Sequence, residues 1–386
     1  MRICFVTHYD GLYGANRSLL GLIEGLEEYG VESLVVLPSR GDLTEVLRDR
    51  NVPYVVAPFK WWMTKPSHQW KAPARLTFNL VVAPVIATRI AFWHPDLIHT
   101  NSSVTPVGAL VAELLSLPHT WHIREFGDLD YGLRRDLGDA VFRWGLERSR
   151  ALVAVSEAVR RRVLEDLEPP TPVVYNGVIS EDRARQIGRS VRLTRGETGK
   201  SSCFTFAILG RIQPSKGQEQ AVRAVSRLRK TGMNVHLLIA GDGRKEHESS
   251  LKTLVRRLGV ADTVSFLGFV DEPFSVYRKT DAVLMCSENE AMGRVTAEGM
   301  AAARPIVGRN SGGTSELVNH GVNGLLYDEG VGALADCMQR LADDPEWARE
   351  LGLNGWEKAV EKFTLESYAQ KMYNVLSSAQ AVDDTK

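Results

Sequence analysis

Two glutamates are the residues of this 386-residue sequence whose type and spacing most directly suggest chemistry. Glu290 lies in a loop that follows the apolar run AVLMCS, and Glu298 lies eight positions later, on a predicted helix that begins after Gly293. A carboxylate in either place can accept hydrogen bonds from two hydroxyl groups at once, as a ribose or a hexose offers. The pair therefore predicts a site for a sugar or a nucleotide.

The backbone around these glutamates is suited to an anion. A strand that ends in a glycine-containing turn and continues as a helix presents free N–H groups and the positive end of the helix dipole. A second loop contains Gly312 and Gly313, and glycine allows a backbone to approach a ligand closely. Both loops are therefore candidates to contact the same phosphate-bearing ligand.

Two cations, Arg211 and Lys216, lie between a predicted buried strand and a predicted helix in the segment GRIQPSKG. Isolated surface cations are usually only solvated. Cations that are fixed at the end of a buried strand can instead form charge-assisted hydrogen bonds to phosphate oxygens. This placement favours phosphate binding over a solvated surface.

The segment that contains the two glutamates, residues 287–328, resembles the GT-B glycosyltransferases of family 4. That family has a glutamate, seven residues and a second glutamate, followed by Gly-Gly-x-x-Glu and Asn-Gly-Leu motifs. The matching residues here are Glu290, Gly293, Glu298, Met300, Pro305, Gly312, Gly313, Glu316, Asn323, Gly324 and Leu325. Two positions depart from the family pattern. Ala303 replaces a usual glycine, where its methyl group is expected to tighten packing, and Arg294 replaces a bulky apolar residue.

The resemblance covers most of the chain and implies roles residue by residue. Arg211 and Lys216 would bind the donor diphosphate and, with Glu290 and His122, take part in catalysis. His122, in the segment WHIREF, would lie near the transferred sugar, although a purely structural histidine is the alternative. The other residues that the resemblance implies for donor binding are Gly14, Gly210, Gly241, Gly293, Arg294, Val295, Glu298, Gly312 and Gly313.

The activity that the resemblance implies is retaining transfer of a sugar from a UDP- or GDP-sugar. Glu298 would hold the ribose hydroxyls, while Glu290 would hold sugar hydroxyls and oppose positive charge at the oxocarbenium-like centre. The departing phosphate would take the acceptor's proton on the same face, so no metal or other cofactor is expected. Asp128 and Asp130 have the spacing of a metal-binding motif but are interpreted as a surface loop. The expected acceptor is a lipid-linked oligosaccharide or a surface-polysaccharide precursor.

The elements that position these residues alternate between strand and helix patterns, which predicts βαβ units and parallel sheets. The alternation breaks over residues 180–202 and then restarts. We therefore predict an α/β GT-B fold with two Rossmann-like domains whose parallel sheets face a central cleft. Residues 1–179 would form the acceptor-side domain, 180–202 a linker and 203–363 the donor domain. A last helix at about 364–386 is expected to pack back on the first domain.

Composition is typical of a soluble globular protein. The 47 basic residues balance 47 acidic ones, and no nucleic-acid-binding motif is recognised, so no nucleic-acid partner is expected. The four cysteines are far apart and are interpreted as reduced core thiols. We recognise neither a signal peptide nor an apolar run long enough to span a bilayer, and we expect a cytoplasmic protein.

One segment has a different character, since residues 51–95 contain no Asp or Glu. They carry Lys60, Lys65, Lys71, Arg75 and Arg89, together with Phe59, Trp61, Trp62, Trp70, Phe78 and Trp93. Basic residues interleaved with tryptophan suit the surface of an anionic membrane, so residues 59–93 predict peripheral contact with the inner face of the plasma membrane. The alternative is that the helix in this segment is ordinary core and that the tryptophans pack locally.

Three other functions compete with glycosyl transfer. A GT-B-fold sugar-nucleotide epimerase would share the architecture but not the Glu290–Glu298 pattern. A catalytically weak nucleotide-sugar-binding subunit is favoured only by the departures at Ala303 and Arg294. An NAD-dependent dehydrogenase is disfavoured because no G-x-G-x-x-G motif follows the first strand of either half.

Overall fold

The protein divides into two compact units in a computed structural model that describes residues 1–165, 167, 171–193 and 203–381. The first unit comprises Met1–Gly177 and Leu365–Lys386, and the second comprises Val178–Thr364. Each unit is built on one six-stranded parallel sheet with helices packed against it, so the predicted α/β class is confirmed.

The sheet of the first unit has the strand order β3-β2-β1-β5-β6-β8, and all of its neighbouring strands are parallel. Its strands are β1 (Arg2–Val6), β2 (Glu32–Leu37), β3 (Tyr54–Val56), β5 (Leu97–Thr100), β6 (His119–Ile123) and β8 (Ala151–Ala154). In β1, Ile3 and Phe5 pack into the core on one face, while Cys4 and Val6 pack into the core on the other. Burial on both faces explains why β1 carries apolar residues on both of its faces rather than alternating between apolar and polar.

The helices of the first unit cover the two faces of this sheet. They are α1 (Gly14–Glu27), α2 (Asp42–Asp49), α3 (Ala72–Ala91), α4 (Val107–Leu115), α5 (Asp128–Tyr131), α6 (Gly138–Glu147) and α7 (Glu157–Leu164). In α1, Leu19, Leu22 and Leu26 recur at helical spacing and are fully buried, as the periodicity predicts.

A small antiparallel pair lies beside the main sheet and joins β4 (Met63–Thr64) to β7 (Arg134–Arg135). The pair is fixed by a partly buried ion pair, in which the guanidinium of Arg75 on α3 lies 2.7 Å from Asp136. Arg75 also donates to the hydroxyl of Thr64 at 3.1 Å. These contacts tie α3 to the loop region that follows β6.

Helix α3 presents an apolar face outward. A short 3₁₀ turn (Pro66–Lys71) leads into α3, and the joined stretch Pro66–Ala91 is long and apolar enough to cross a membrane by length and composition alone. The sequence analysis recognised no apolar run long enough to span a bilayer. The helical stretch is longer because α3 continues through Pro84 without ending. Its inner face packs on the sheet through Ala83, Ile86 and Ile90.

The sheet of the second unit repeats the order of the first, β11-β10-β9-β12-β13-β14, again with parallel neighbours. Its strands are β9 (Phe204–Leu209), β10 (Val235–Ala240), β11 (Val264–Gly268), β12 (Ala282–Met285), β13 (Ile306–Arg309) and β14 (Gly324–Tyr327). Its helices are α8 (Glu181–Leu193), α9 (Gln218–Lys230), α10 (Lys245–Arg257), α11 (Phe274–Tyr277), α12 (Arg294–Ala301), α13 (Gly312–Leu317), α14 (Gly330–Asp343) and α15 (Pro345–Lys362).

Helix α8 corrects the linker that the sequence predicted over residues 180–202. Ala184 and Gly188 are buried on one side of α8, which packs against α15 of the same unit. The indole N–H of Trp356 on α15 donates to the carbonyl oxygen of Ala184 at 2.7 Å, and Gly188 leaves room for that ring. The apolar stripe of α8 is narrow, and its small residues lie among many charged ones. The composition of the segment therefore gave no indication of a helix. Residues 194–202 of the predicted linker lie outside the described residues.

The last helix, α16 (Leu365–Ala381), belongs to the first unit and packs along α1. A Cβ atom at Gly25 of α1 would lie 2.5 Å from the Cβ of Ala369, and one at Gly21 would lie 2.7 Å from Leu365. Glycine at these two positions therefore allows the close approach of the two helices. Tyr368 of α16 is fully buried in the core of the first unit.

Candidate active site

The carboxyl edge of the second sheet carries most of the residues that the sequence singled out. Strand order reverses between the neighbours β9 and β12, and ligands of open parallel sheets bind in the crevice outside such a reversal. The loop after β9 supplies Arg211 and Lys216, and the loop after β12 supplies Glu290. The chain topology therefore brings these three residues to one edge of the sheet.

Lys216 and Glu290 form an ion pair in this crevice. The Nζ atom of Lys216 donates to Oε2 of Glu290 at 2.6 Å, with side-chain exposures of 30% and 17%. Gly217, at φ +70°, allows the contact, because a Cβ there would lie 2.6 Å from the Cβ of Cys286 at the end of β12. Both charged groups remain open enough to reach a ligand.

The loop of Gly312 and Gly313 is pressed against the backbone on either side of Glu290. The amide of Gly313 donates to the carbonyl oxygen of Glu290 at 2.7 Å. A Cβ at Gly312 would lie 2.5 Å from that same oxygen, and one at Gly313 would lie 2.5 Å from the carbonyl of Ala291. The two glycines thus fix the Glu290 loop as well as opening α13.

Gly293 turns the chain into α12 at φ +83° and is the N-cap of this helix. No side chain caps the helix, and its first turn contains no acidic residue. The hydroxyl of Thr296 is buried and has no hydrogen-bond partner among the described residues. The start of α12 is therefore suited to an anionic ligand.

Both carboxylate oxygens of Glu298 are already occupied. The guanidinium of Arg294 lies 3.1 Å from Oε1, and the phenol of Tyr277 donates to Oε2 at 3.0 Å. Burial, and then the charge of Glu298, raise the pKa of Tyr277 well above its ordinary value, so the phenol remains a donor. Glu298 is 7% exposed, and Tyr277, which the sequence did not single out, holds its carboxylate in one orientation.

Gly210 and Gly241 end the neighbouring strands β9 and β10 and touch each other. A Cβ at Gly241 would lie 2.0 Å from the carbonyl oxygen of Gly210, and both residues have positive φ, of +142° and +127°. The amide of Gly210 donates to Ala240 at 2.9 Å. The two loops form one surface, from which the exposed Arg211 extends. The backbone carbonyl of Arg211 accepts a hydrogen bond from the side-chain amide of Gln218 at 3.0 Å.

Ala303 explains why the family has glycine at this position. Its φ of +55° is left-handed, a conformation that costs an L-residue roughly 1–2 kcal/mol. The expectation that its methyl group only tightens packing is therefore incomplete, because the departure strains the backbone. Gly352 of α15 accommodates the turn, since a Cβ there would lie 2.3 Å from the carbonyl oxygen of Ala303.

The first unit places Gly14 and His122 at the carboxyl edge of its own sheet. Gly14 is exposed and begins α1, whose first turn has neither a side-chain cap nor an acidic residue. His122 lies on β6 and is fully buried, and neither of its ring nitrogens has a partner among the described residues. Burial, and then the charge of Arg124, lower its pKa well below the ordinary value, so the imidazole is neutral.

Beside His122 lies a buried polar network that the sequence analysis did not single out. Arg124 donates to Asn101 at 2.8 Å, to Asn176 at 2.5 Å and to the phenol oxygen of Tyr368 at 2.6 Å. Glu125 accepts from Ser102 and from the amide and hydroxyl of Ser103. The run of polar residues directly after β5, at 101–103, is the sequence signal that could have indicated it.

Asp128 and Asp130 both bind other groups of the protein. Asp128 lies 2.7 Å from the guanidinium of Arg162, and the carboxylate of Asp130 accepts from the amides of Phe126 and Gly127. Burial is the main cause that raises the pKa of Asp130 to about 7. Across residues 1–165, 167, 171–193 and 203–381, no group of three or more His, Cys, Asp or Glu side chains could hold a metal ion.

Two protein families match this sequence, one in each half. Residues 13–182 match "Glycosyltransferase Family 4", and residues 195–358 match "Glycosyl transferases group 1". Together the two matches cover both units and include each residue of the candidate site. They agree with the resemblance that rests on the two glutamates and the two cations.

Individual proteins show the same relationship. An uncharacterized glycosyltransferase of Methanocaldococcus jannaschii is 29% identical over 306 residues, covering 74% of this chain and 75% of its own. The N-acetyl-alpha-D-glucosaminyl L-malate synthase of Bacillus anthracis is 29% identical over 244 residues, covering 61% and 62%. The crystal structure of Anabaena HepE in complex with UDP aligns with a TM-score of 0.80 at 23% identity, over 98% of this chain and 100% of that one.

Proposed function

Because this chain belongs to the family 4 glycosyltransferases of the GT-B fold, we propose that it catalyses retaining transfer of a sugar from a UDP- or GDP-sugar to a lipid-linked oligosaccharide or surface-polysaccharide precursor. The observation that carries the donor site is the Lys216–Glu290 pair at the carboxyl edge of the second sheet. The pair lies beside Gly293, at the start of α12, which has no side-chain cap. This arrangement combines cations, anion-binding backbone and carboxylates that can hold hydroxyls.

Lys216 and Arg211 bind the donor diphosphate in this proposal. As the bond between the sugar and the phosphate breaks, negative charge grows on the departing nucleoside diphosphate, and fixed cations stabilise it without having to reorganise. The amides of Gly293, Arg294 and Val295 add donors at the positive end of α12. Because these groups supply the positive charge, we propose that the reaction requires no metal.

Glu298 and Glu290 divide the remaining donor contacts. Glu298 accepts from the ribose hydroxyls, and Tyr277 keeps the carboxylate in position from behind. Glu290 accepts from sugar hydroxyls and stabilises positive charge at the anomeric carbon. The bond from that carbon to the phosphate oxygen breaks, the bond to the acceptor oxygen forms on the same face, and the acceptor's proton passes to the departing phosphate.

His122 contributes a neutral imidazole to the proposed site. Its two ring nitrogens are unpartnered among the described residues, so they can donate to one hydroxyl and accept from another. The low pKa keeps the ring uncharged at neutral pH, which suits binding of a sugar rather than of a phosphate. Gly14, at the uncapped start of α1, is proposed to approach the donor diphosphate.

The outward face of α3 supports an acceptor at a membrane surface. Phe78, Val81, Val85 and Phe92 lie on this face, with exposures of 37%, 66%, 49% and 83%. No charged residue occurs between Arg75 and Arg89, whereas the outer face of an ordinary surface helix is polar. An exposed apolar patch flanked by Lys60, Lys65 and Lys71 fits an anionic membrane.

Two residues of the original membrane hypothesis do not contribute to this surface. Phe59 is buried, and the indole of Trp62 stacks on Trp121 at 5.6 Å between ring centroids, with its N–H bonded to Ser103. Trp70 is 75% exposed and does contribute. We propose that α3 lies on the membrane rather than across it, because its inner face is part of the core of the first unit.

The proposal is tested by ligand-induced thermal stabilisation with a panel of UDP-, GDP- and ADP-sugars. A donor at 100 times its Kd should stabilise the protein by about 2.7 kcal/mol. We expect one nucleotide class to stabilise the protein and Lys216→Ala and Glu298→Ala to abolish the effect. UDP is the first ligand to use, because the Anabaena structure contains it.

Glu288→Ala is the matched control, because Glu288 lies in the Glu290 loop but is exposed and pairs with Arg309. It should leave the stabilisation unchanged. If neither the sugar donors nor free UDP and GDP stabilise the wild-type protein, the proposed donor site is wrong.

A further inference from the structure

A cavity of about 490 Å³ lies in the first unit, next to the loop that follows β6. Clefts that hold small ligands are typically about 300–1,000 Å³, so this one is large enough for a ligand group. Its walls come from the small β4–β7 sheet, the loop before α3, and the helices α6 and α7. The lining residues on which the argument depends are Gln69, Phe126, Arg134, Arg135, Gly138 and Arg162.

Three arginines give the lining of the cavity a net positive charge. Arg162 pairs with Asp128 at 2.7 Å, and Arg135 pairs with Asp139 at 2.7 Å. Arg134 forms no ion pair with any residue that the structure describes. The lining therefore carries one more positive than negative side chain, and guanidinium groups are the side chains best suited to forked hydrogen bonds with phosphate oxygens.

The Arg135 side chain is held in place before any ligand binds. The guanidinium carbon of Arg135 lies 4.1 Å from the centroid of the Phe142 ring, and the side chain is only 25% exposed. The backbone of Arg134 belongs to β7, a strand that the partly buried Arg75–Asp136 pair anchors. A ligand therefore pays little to order the Arg135 side chain.

The position of the cavity relates it to two features of the same unit. Phe126 directly follows Glu125, so the cavity opens beside the polar network at the carboxyl end of β6. Gln69 directly precedes the exposed Trp70 and the apolar face of α3. A ligand seated here would have its anionic group between a hydroxyl-binding sheet edge and an apolar surface.

We propose that this cavity binds the phosphate or diphosphate group of the acceptor, and that Arg134, Arg135 and Arg162 are its ligands. The inference rests on the proposed function, since it names the acceptor as a phosphorylated compound. Gly138 begins α6 within the cavity wall at φ +79°, and a Cβ there would meet nothing within 4 Å, so its backbone is accessible to the same group.

The test is calorimetric titration of the full chain with inorganic diphosphate. The Lys216→Ala variant weakens the donor-site diphosphate contact, so the part of its remaining diphosphate binding that the arginine substitutions remove reports on the cavity. We expect this variant to bind diphosphate and the triple variant Lys216→Ala, Arg134→Gln, Arg135→Gln to bind it at least tenfold more weakly. Arg148→Gln, at the far end of α6, is the matched control and should change nothing.

Several results would overturn the inference. If Lys216→Ala protein binds no diphosphate, or if the arginine substitutions leave its affinity unchanged, the cavity is not a phosphate site. That result leaves the proposed function standing when UDP still stabilises the wild-type protein. The converse result, cavity binding without any stabilisation by nucleotides, contradicts the proposed function and retains the cavity.

A second experiment distinguishes a lipid-borne acceptor from a water-soluble one. Neutral phosphatidylcholine vesicles are compared with the same vesicles containing a polyprenyl diphosphate. Binding that increases with the polyprenyl diphosphate and is lost in Arg134→Gln, Arg135→Gln supports a lipid-borne acceptor. Binding of inorganic diphosphate without any preference for the doped vesicles supports a water-soluble phosphorylated acceptor.

Discussion

The ammonium of Lys216 lies 2.6 Å from the carboxylate of Glu290, although 74 positions of sequence separate them. Without a donor the two charges neutralise each other, which reduces the cost of holding either one in a half-buried crevice. A donor diphosphate would share the lysine and leave the carboxylate facing the sugar. The pair thus links the leaving-group and sugar halves of the proposed reaction.

Glu290→Gln separates these two roles. The substitution keeps the shape and leaves Lys216 free for the diphosphate, so UDP affinity should change less than about threefold. Loss of the carboxylate that stabilises the developing positive charge should lower kcat by about 10²-fold or more. Both values are measured, with UDP release from the effective donor as the rate assay. Glu288→Gln is the control, and an unchanged kcat in Glu290→Gln would contradict the assigned role.

Arg294 is expected to compete with the nucleotide for Glu298. The guanidinium occupies Oε1 of Glu298 in the donor-free protein, so a ribose hydroxyl has to displace it. Arg294→Leu, a bulky apolar residue of the type common in the family, should therefore tighten UDP binding by about two- to fivefold, which corresponds to the roughly 0.3–1 kcal/mol of an i,i+4 ion pair. Calorimetry measures the affinity. Arg294→Lys keeps the charge and serves as control, and weaker binding by Arg294→Leu would show that the guanidinium instead contacts the donor.

Ala303→Gly should be neutral or stabilising by up to about 1 kcal/mol. The substitution relieves roughly 1–2 kcal/mol of left-handed strain, and the lost burial of one methyl group offsets about 0.8 kcal/mol. The neighbouring Ala302→Gly is the matched control, because Ala302 is also buried but has an ordinary φ of −83°, so this variant should lose about 1–2 kcal/mol. Urea unfolding measures both. Equal losses in the two variants would mean that the left-handed backbone stores no strain.

The free energy of unfolding should fall as the pH drops below about 6. Burial lowers the pKa values of His8, His99 and His119 to about 3, so each must gain a proton on unfolding below its unfolded value near 6.5. Each histidine therefore contributes stability that is complete above that value and is lost at about 1.4 kcal/mol per pH unit below it. The buried carboxyls of Glu125 and Asp130, whose pKa values are raised, act in the opposite direction.

Because the buried histidines outnumber the two buried carboxyls, we expect the free energy of unfolding to fall by about 1–3 kcal/mol per pH unit between pH 6 and 4. Urea midpoints across this range measure the slope. His119→Gln should reduce it by about one histidine's share, while the exposed His68→Gln should leave it unchanged. A slope that His119→Gln does not alter would contradict this origin.

Val81→Asp with Val85→Asp should abolish binding to anionic vesicles. Both side chains are exposed on α3, so folding should be little affected, whereas two carboxylates at an apolar, anionic surface oppose its contact with lipid. Vesicle flotation measures the bound fraction, which should fall at least tenfold. Leu114→Asp, an exposed apolar position on α4, is the control. Equal flotation of all variants, or none by the wild-type protein, would contradict a membrane role for α3.

The architecture followed from the sequence because doubly buried parallel strands leave a plain signature. Runs such as FTFAIL and AVLM are almost entirely apolar, and helical periodicity separates them. Helix α8 was missed because a stripe made of residues as small as Ala184 and Gly188 gives little hydrophobic signal. Its partner, Trp356, lies 172 positions away from Ala184, so no local pattern could indicate the contact.

The candidate site was predictable in its residue types but not in its contacts. Spacing indicated Glu298, yet nothing local indicates that Tyr277 would reach it from a four-residue helix. Similarly, the adjacent Arg124 and Glu125 do not pair locally; they bind residues of other loops and helices. Such contacts depend on tertiary packing, which the sequence pattern of a single element does not contain.

The hydrogen bond from Arg124 to Tyr368 joins residues 244 positions apart, and it has a consequence for biosynthesis. At roughly 5–20 residues per second, a ribosome needs on the order of ten to fifty seconds to travel that distance. Throughout this interval the first unit lacks α16, so the apolar surface of α1 and a buried guanidinium await their partners. The second unit is complete earlier than the first, and nascent chains should therefore depend on chaperone protection of their amino-terminal half.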